Sequence, residues 1–99
     1  MSVEEINRVL EDLEYTTTGE EAVYVEREAV DTLEDVLKDV CKEVVIEETK
    51  PSDIFVEDGW AIDVYFTCDG RAYVATIMFE EETRYHVSFS GAEELERRS

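Results

Sequence analysis

The sequence has one proline, one histidine, and nine lysines and arginines set against 27 aspartates and glutamates. Each scarcity excludes something. With so few cations there is no basic patch of the kind that direct binding to nucleic acid or to an anionic membrane surface requires. No apolar run approaches the roughly 20 residues that span a bilayer. The stretch Met1-Ser2-Val3-Glu4-Glu5 lacks the basic and apolar regions of a signal peptide, which leads us to expect a cytoplasmic protein. The four glycines are isolated, so no phosphate-cradling loop is present.

The reactive residues are equally sparse. Any Ser–His or Cys–His nucleophile pair must use His86, which falls mid-strand on a half-exposed face. Cys41 and Cys68 are too few and too far apart for a disulfide scaffold. Cys41 also lies on the apolar stripe of an expected helix, so a reduced, buried thiol is the expectation. The short paired Cys and His spacings of zinc sites do not occur. Cation binding by Glu80-Glu81-Glu82 or by Asp53 with Glu57-Asp58 lacks EF-hand spacing. Carboxylate pairs are available everywhere, so their presence says nothing about acid–base catalysis, and only Asp63 reads as semi-buried. We expect no enzyme, no cofactor and no metal.

What the chain has is hydrophobic content and charge. At 43% hydrophobic and 10% aromatic its 99 residues make one folded domain, expected over 1–91 with a polar tail over 92–99. The net charge of −18 is large enough for self-repulsion to oppose compactness and keep molecules apart.

Ser2-x-x-Glu5 is a capping-box pattern, and Val3, Ile6, Val9, Leu10 and Leu13 follow at helical spacing. The β-branched Thr16-Thr17-Thr18 and Gly19 are expected to end that helix. Ala22 to Glu26 reads as a short strand. A second helix is expected to begin between Glu28 and Thr32, with Val30, Leu33, Val36, Leu37, Val40, Cys41 and Val44 on one face. Its outer face carries Asp31, Glu34, Asp35, Lys38, Asp39, Lys42 and Glu43, with a favourable Glu34–Lys38 pair. Val44 to Thr49 and Ile54 to Val56 read as strands, separated by a loop around Pro51. Asp58-Gly59 is a turn.

Trp60 to Thr67 and Ala72 to Phe79 flank Asp69-Gly70, a strong hairpin signal. A two-residue loop there makes paired numbers sum to 139, which places Trp60, Ile62, Val64 and Phe66 opposite Phe79, Ile77, Ala75 and Tyr73 on one apolar face. Trp60 then needs a partner for its indole N–H. In the last strand, Arg84 to Ser90, apolar residues meet their neighbours only if the sum is even, for which a loop of Glu81-Glu82-Thr83 suffices. The tail beyond has the look of a helical turn.

The fold class is α+β: two helices packed on one face of a twisted, mainly antiparallel sheet of four to five strands, ending in a β-meander. The expected core is Ile6, Val9, Leu10, Leu13, Leu33, Val36, Leu37, Val40, Val44, Trp60, Ile62, Val64, Phe66, Tyr73, Ile77, Phe79, Val87 and Phe89. On the opposite face Tyr65, Val74 and Met78 form an apolar patch suited to another protein, unless a loop or the tail covers it.

Two readings of the charge follow. In the first, a rigid fold displays carboxylates to the basic groove of a nucleic-acid-binding effector or nuclease, gaining association rate by steering. Rows such as Glu4, Glu11 and Glu14, or Asp31, Asp35 and Asp39, would space them along helices. In size, charge and helix-plus-sheet plan the chain resembles small phage or archaeal-virus inhibitors of host defence, including anti-CRISPR proteins. That resemblance implies a DNA-mimicking inhibitor in a host cytoplasm and transfers no site residue.

In the second reading, three lysines against six arginines and a dispersed acidic coat look haloarchaeal. Function would then rest on the Tyr65, Val74 and Met78 face, as a homodimer or adaptor surface. The first reading leads at this point. The candidate partner-binding residues are Asp31, Glu34, Asp35, Asp39, Glu43, Glu80, Glu81, Glu82, Tyr65, Val74 and Met78, and the partner is a basic protein surface or the chain itself.

Overall fold

The computed structural model describes residues 3–18 and 21–95. Ser2, Gly19 and the last four positions, and with them the capping box and the glycine stop, lie outside the described residues. The elements are α1 (Val3–Leu10), β1 (Glu14–Thr17), α2 (Ala22–Leu37), β2 (Val44–Pro51), β3 (Gly59–Cys68), β4 (Arg71–Glu81), β5 (Tyr85–Phe89) and β6 (Glu93–Glu94). The strands form one antiparallel sheet in the order β1-β5-β4-β3-β2, with β6 continuing alongside β4. This is an α+β fold, with six described strands rather than four or five.

The β3–β4 hairpin has the expected register: Trp60 pairs with Phe79, Ile62 with Ile77, Val64 with Ala75 and Phe66 with Tyr73. Asp69 and Gly70 both take positive φ, 52° and 85°, the conformation that an Asp-Gly turn supplies to a twisted two-residue hairpin. Between β4 and β5 the sum is even as expected, but the loop is Glu82-Thr83-Arg84. Tyr85 therefore faces Glu81, Val87 faces Phe79 and Phe89 faces Ile77.

One face of this sheet packs against both helices. Ile6 and Leu10 of α1 join Val25, Ala29, Leu33 and Leu37 of α2, and Ile62, Val64, Phe66, Tyr73, Ile77, Phe79 and Val87 of the sheet, in a single buried cluster. Val9, Leu13, Val40, Val44 and Trp60, expected in the core, are only partly buried at its margin, and Val36 is half-exposed. Trp60 stacks on Phe79 with ring centroids 4.9 Å apart.

Several expectations are overturned. Ala22 to Glu26 is the opening of α2, not a strand. Val25, Ala29, Leu33 and Leu37 are buried at four-residue intervals, the stripe that a helix lays on a sheet, whereas Val23 and Tyr24 point outward. Burial of this stripe overrides the β preference of the Val-Tyr-Val run. The helix stops at Leu37, short of Val44. The α1 helix likewise ends at Leu10, and Thr16 and Thr17, read as a helix stop, lie in β1 beside His86 and Tyr85. Ile54 to Val56 forms no strand but a loop in which Ile54 and Phe55 are exposed and Val56 is half-buried. Ala92 is buried, and Glu93 and Glu94 pair with Val74 and Tyr73, so this part of the expected tail is a strand and not a helical turn.

The cysteines are also corrected. Cys41 and Cys68 form a disulfide, so Cys41 is not a reduced thiol. It lies in the connection after α2, and the bond ties that connection to the end of β3. The same corner is closed by two hydrogen bonds. The Asp69 N–H donates to the Glu43 carbonyl at 2.9 Å, and the Glu43 N–H donates to Asp69 Oδ1 at 2.9 Å.

Candidate functional site

The helices cover one side of the sheet only. The register places Glu14 and Thr16 of β1, His86 and Ser88 of β5, Ala72, Val74, Thr76, Met78 and Glu80 of β4, Ala61, Asp63, Tyr65 and Thr67 of β3, and Val45, Glu48 and Lys50 of β2 on the opposite face. Tyr65 pairs directly with Val74, and Met78 with Ala61. All three expected patch residues are half-buried. Ala61 is 5% exposed. The segment after β2 closes over this corner, and the Ser52 N–H donates to the Ala61 carbonyl at 3.0 Å.

The loop and the C-terminal segment flank the patch without sealing it. A groove of about 550 Å³, open to solvent, runs between Ser52-Asp53-Ile54 on one side and Ser90, Gly91 and Glu93 on the other. Its floor is Asp63, Tyr65, Val74 and Thr76. Next to Ile54, Phe55 is 87% exposed. An aromatic ring left this bare contributes little to folding and is a surface that a partner can cover.

The carboxylates on this face are mostly engaged. Asp63 accepts a 2.7 Å hydrogen bond from the Thr76 hydroxyl. Glu14 lies 3.4 Å from His86 Nε2, and Glu48 lies 3.5 Å from Lys50 Nζ. Lys50 also stands over the Tyr65 ring, 5.4 Å from its centroid.

The acidic candidates lie elsewhere and are not brought together into one row. Asp31 and Asp35 are exposed on α2, with Glu34 half-buried, while Asp39 and Glu43 follow the end of that helix. Asp39 therefore does not extend the helical row. Glu11 and Glu14 fall beyond α1, which dissolves the Glu4, Glu11 and Glu14 row. Lys38 approaches Asp35 at 4.0 Å rather than Glu34. Glu80, Glu81 and Glu82 are exposed around the end of β4.

With both sulfurs in the disulfide, neither is free to act as a nucleophile beside His86. Among the described residues no group of three or more His, Cys, Asp and Glu side chains is placed to hold a metal ion. No described helix is long and apolar enough to cross a membrane.

The sequence pattern placed Tyr65, Val74 and Met78 on one sheet face, as the register does; Tyr65 and Val74 line the groove and Met78 does not. The pattern missed the groove walls, because Asp53, Ile54 and Glu93 come from segments read as a loop, a strand and a tail. The exposed Phe55 was hidden in the same way. Compared with known protein families, curated proteins and solved structures, the chain matches none.

Proposed function

We propose that this chain is a non-enzymatic interaction module that works through the uncovered face of its sheet, with a carboxylate coat that suits concentrated salt. The observation that supports this most directly is the flanked groove over Tyr65, Val74 and Thr76, beside the exposed Phe55. Edge pairing is a poorer route to association. The free edge of β2 carries Glu47, Glu48 and Lys50, ends at Pro51 and is broken by a register shift between Ile46 and Glu48, all features that blunt strand addition. Addition at β2 is thereby disfavoured, and we assign association to the face.

A second reading keeps the carboxylates as the contact, in an inhibitor that imitates the charge of nucleic acid and blocks a basic effector of the anti-CRISPR or nuclease-inhibitor kind. It draws on Asp31 and Asp35, exposed on the same helix, and on the exposed run Glu80 to Glu82. The dissolved helical rows are what place it second.

Two variants separate these readings when bait protein is returned to its native host extract and to sedimentation analysis. Tyr65→Ser with Met78→Ser removes the face, and Asp31→Asn with Asp35→Asn removes the helix charges. The face reading expects the partner, or the self-association, to be lost with the first pair and kept with the second. The opposite pattern would establish the inhibitor reading instead.

A further inference from the structure

The groove on the open face has an uneven chemistry. Tyr65 and Val74 of its floor and Ile54 of one wall are aromatic or apolar, while Asp53, Asp63 and Glu93 line it from the loop, the sheet and the C-terminal strand. These carboxylates come from three separate segments. No lysine or arginine lines the groove among the described residues.

The Tyr65 ring is already used as a cation platform, since Lys50 Nζ stands 5.4 Å from its centroid. That lysine is exposed and is shared with Glu48 at 3.5 Å, so its hold on the ring is loose. Cation–π attraction to a tyrosine face is worth roughly 0.5–1 kcal/mol at exposed sites and more when water is excluded. A guanidinium can lie flat on an aromatic face while its planar fork bonds a carboxylate through two parallel N–H groups, a geometry that the compact ammonium of Lys50 lacks.

We propose that the groove anchors an arginine side chain presented by a partner protein, with a neighbouring apolar residue of that partner covering Ile54 and Phe55. This rests on the reading of the sheet face as the interaction surface and names the chemistry of its partner. Charge decides between the possible occupants. A second copy brings a further −18 against the face, whereas an arginine-bearing segment is drawn to it from a distance.

The test is a titration of the isotope-labelled protein, followed by amide chemical shifts, with the blocked peptide acetyl-Leu-Arg-Leu-amide. Its citrulline analogue, isosteric but uncharged, is the control. Expected are shifts centred on Asp63, Tyr65, Val74 and Thr76, and at least about fivefold weaker binding of the citrulline peptide, roughly 1 kcal/mol. Asp53→Asn with Asp63→Asn should weaken the arginine peptide by a similar factor. The asparagine at 63 retains an oxygen for the Thr76 hydroxyl. Should that pair not fold, Asp53→Asn with Glu93→Gln asks the same question. Lys50→Gln should act in the opposite direction and tighten binding at least about twofold, because it clears the Tyr65 ring.

Equal binding of both peptides, shifts centred on α2, or no binding in the groove would overturn the arginine anchor. If the Tyr65 and Met78 variant still abolishes association while the peptide leaves the groove untouched, the face reading stands and only its partner chemistry falls. Concentration-dependent dimerisation through the same face, with no peptide effect, would likewise replace the anchor by a second copy.

Discussion

The Trp60 indole N–H donates to Glu26 Oε2 at 3.0 Å, so the one tryptophan is fixed between the sheet and the second helix. Its ring stacks on Phe79 and meets Tyr85 edge-on, with centroids 5.8 Å apart. The apolar part of the indole thus faces other rings while its one donor reaches a carboxylate at the margin of the core. Glu26 also belongs to the stretch whose β-branched and aromatic residues suggested a strand. Only as part of a helix does it come to lie over Trp60.

Glu26→Ala should therefore destabilise the protein by about 1–2 kcal/mol, the usual cost of stranding a part-buried donor that had a charged partner. Glu26→Gln keeps an acceptor and should cost less. Guanidinium unfolding of Glu26→Ala, Trp60→Phe and the double variant would measure the coupling. A coupling energy near zero would mean that the bond contributes nothing to stability.

The hairpin was legible in the sequence because two independent signals agreed. Asp69-Gly70 set the turn, and the alternation of Trp60 to Phe66 against Tyr73 to Phe79 set the same register. The opening of α2 was illegible for a physical reason. Its buried stripe includes Ala29, too small to register as a core residue by hydrophobicity, and Val23-Tyr24-Val25 imitates a strand locally. Tertiary burial of Val25, Ala29, Leu33 and Leu37 decided the outcome. In the site, the parity of Tyr65, Val74 and Met78 was readable from alternation alone. The groove was not, since its walls depend on how the 52–58 loop and the last strand fold back across the sheet.

The disulfide was also hidden, because two cysteines 27 residues apart carry no spacing signal. Reducing it, or substituting Cys41→Ala with Cys68→Ala, should destabilise the protein by about 2–4 kcal/mol on the loop-closure account. Thiol counting in denaturant should find no free cysteine before reduction and both after it. Retained stability after complete reduction would show that the two corner hydrogen bonds between Glu43 and Asp69 suffice. Such bonds are ordinarily kept in oxidising compartments, or inside hyperthermophiles, which bears on the cytoplasmic address read from the sequence.

Gly59 and Gly70 should respond differently to alanine. A Cβ at Gly59 would fall on the backbone carbonyl of Phe79, an atom held in the β3–β4 ladder, whereas at Gly70 there is open space and only the positive φ to oppose a side chain. Gly70→Ala should cost about 1 kcal/mol from backbone strain, and Gly59→Ala clearly more, because the strand start must move. Thermal melts of the two variants would rank them. Equal losses would argue against the close approach at Gly59.

Tyr15 supplies a pH signature. Its hydroxyl is buried without a well-formed hydrogen bond. Burial raises its pKa above the ordinary 10.0, the Glu28 carboxylate adds to the rise, and the Thr32 hydroxyl opposes it. The native state thus holds the proton more tightly than the unfolded chain. The linked stability is intact below pH 10.0 and is lost as pH climbs from there through the folded value. Tyr15→Phe removes both the stranded hydroxyl and this titration. It should be neutral or slightly stabilising at pH 7, and its stability should fall less steeply than that of the wild type above pH 10. Parallel curves would mean that Tyr15 ionises as freely in the fold as outside it.

The charge makes the most general prediction. In dilute buffer, where screening reaches only tens of ångströms, carboxylates across the whole molecule repel one another. At 1 M salt the screening length falls to about 3 Å and only immediate neighbours do so. The lysine and arginine ion pairs among the described residues are exposed: Lys38 with Asp35, Lys50 with Glu48, and Arg71 with Glu94. Such pairs contribute little, so their loss to screening cannot offset the relief of repulsion. The melting temperature should therefore rise between about 10 mM and 1 M sodium chloride by at least about 5 °C, near 1 kcal/mol for a domain of this size. A coat adapted to concentrated salt should go on stabilising toward molar levels and lose the fold at the dilute end. A rigid display of charge for a basic partner should be fully folded at 10 mM, with a rise that levels off early. A flat profile across the whole range would mean that the acidic surface carries no folding penalty, and the salt-adapted reading would then fail.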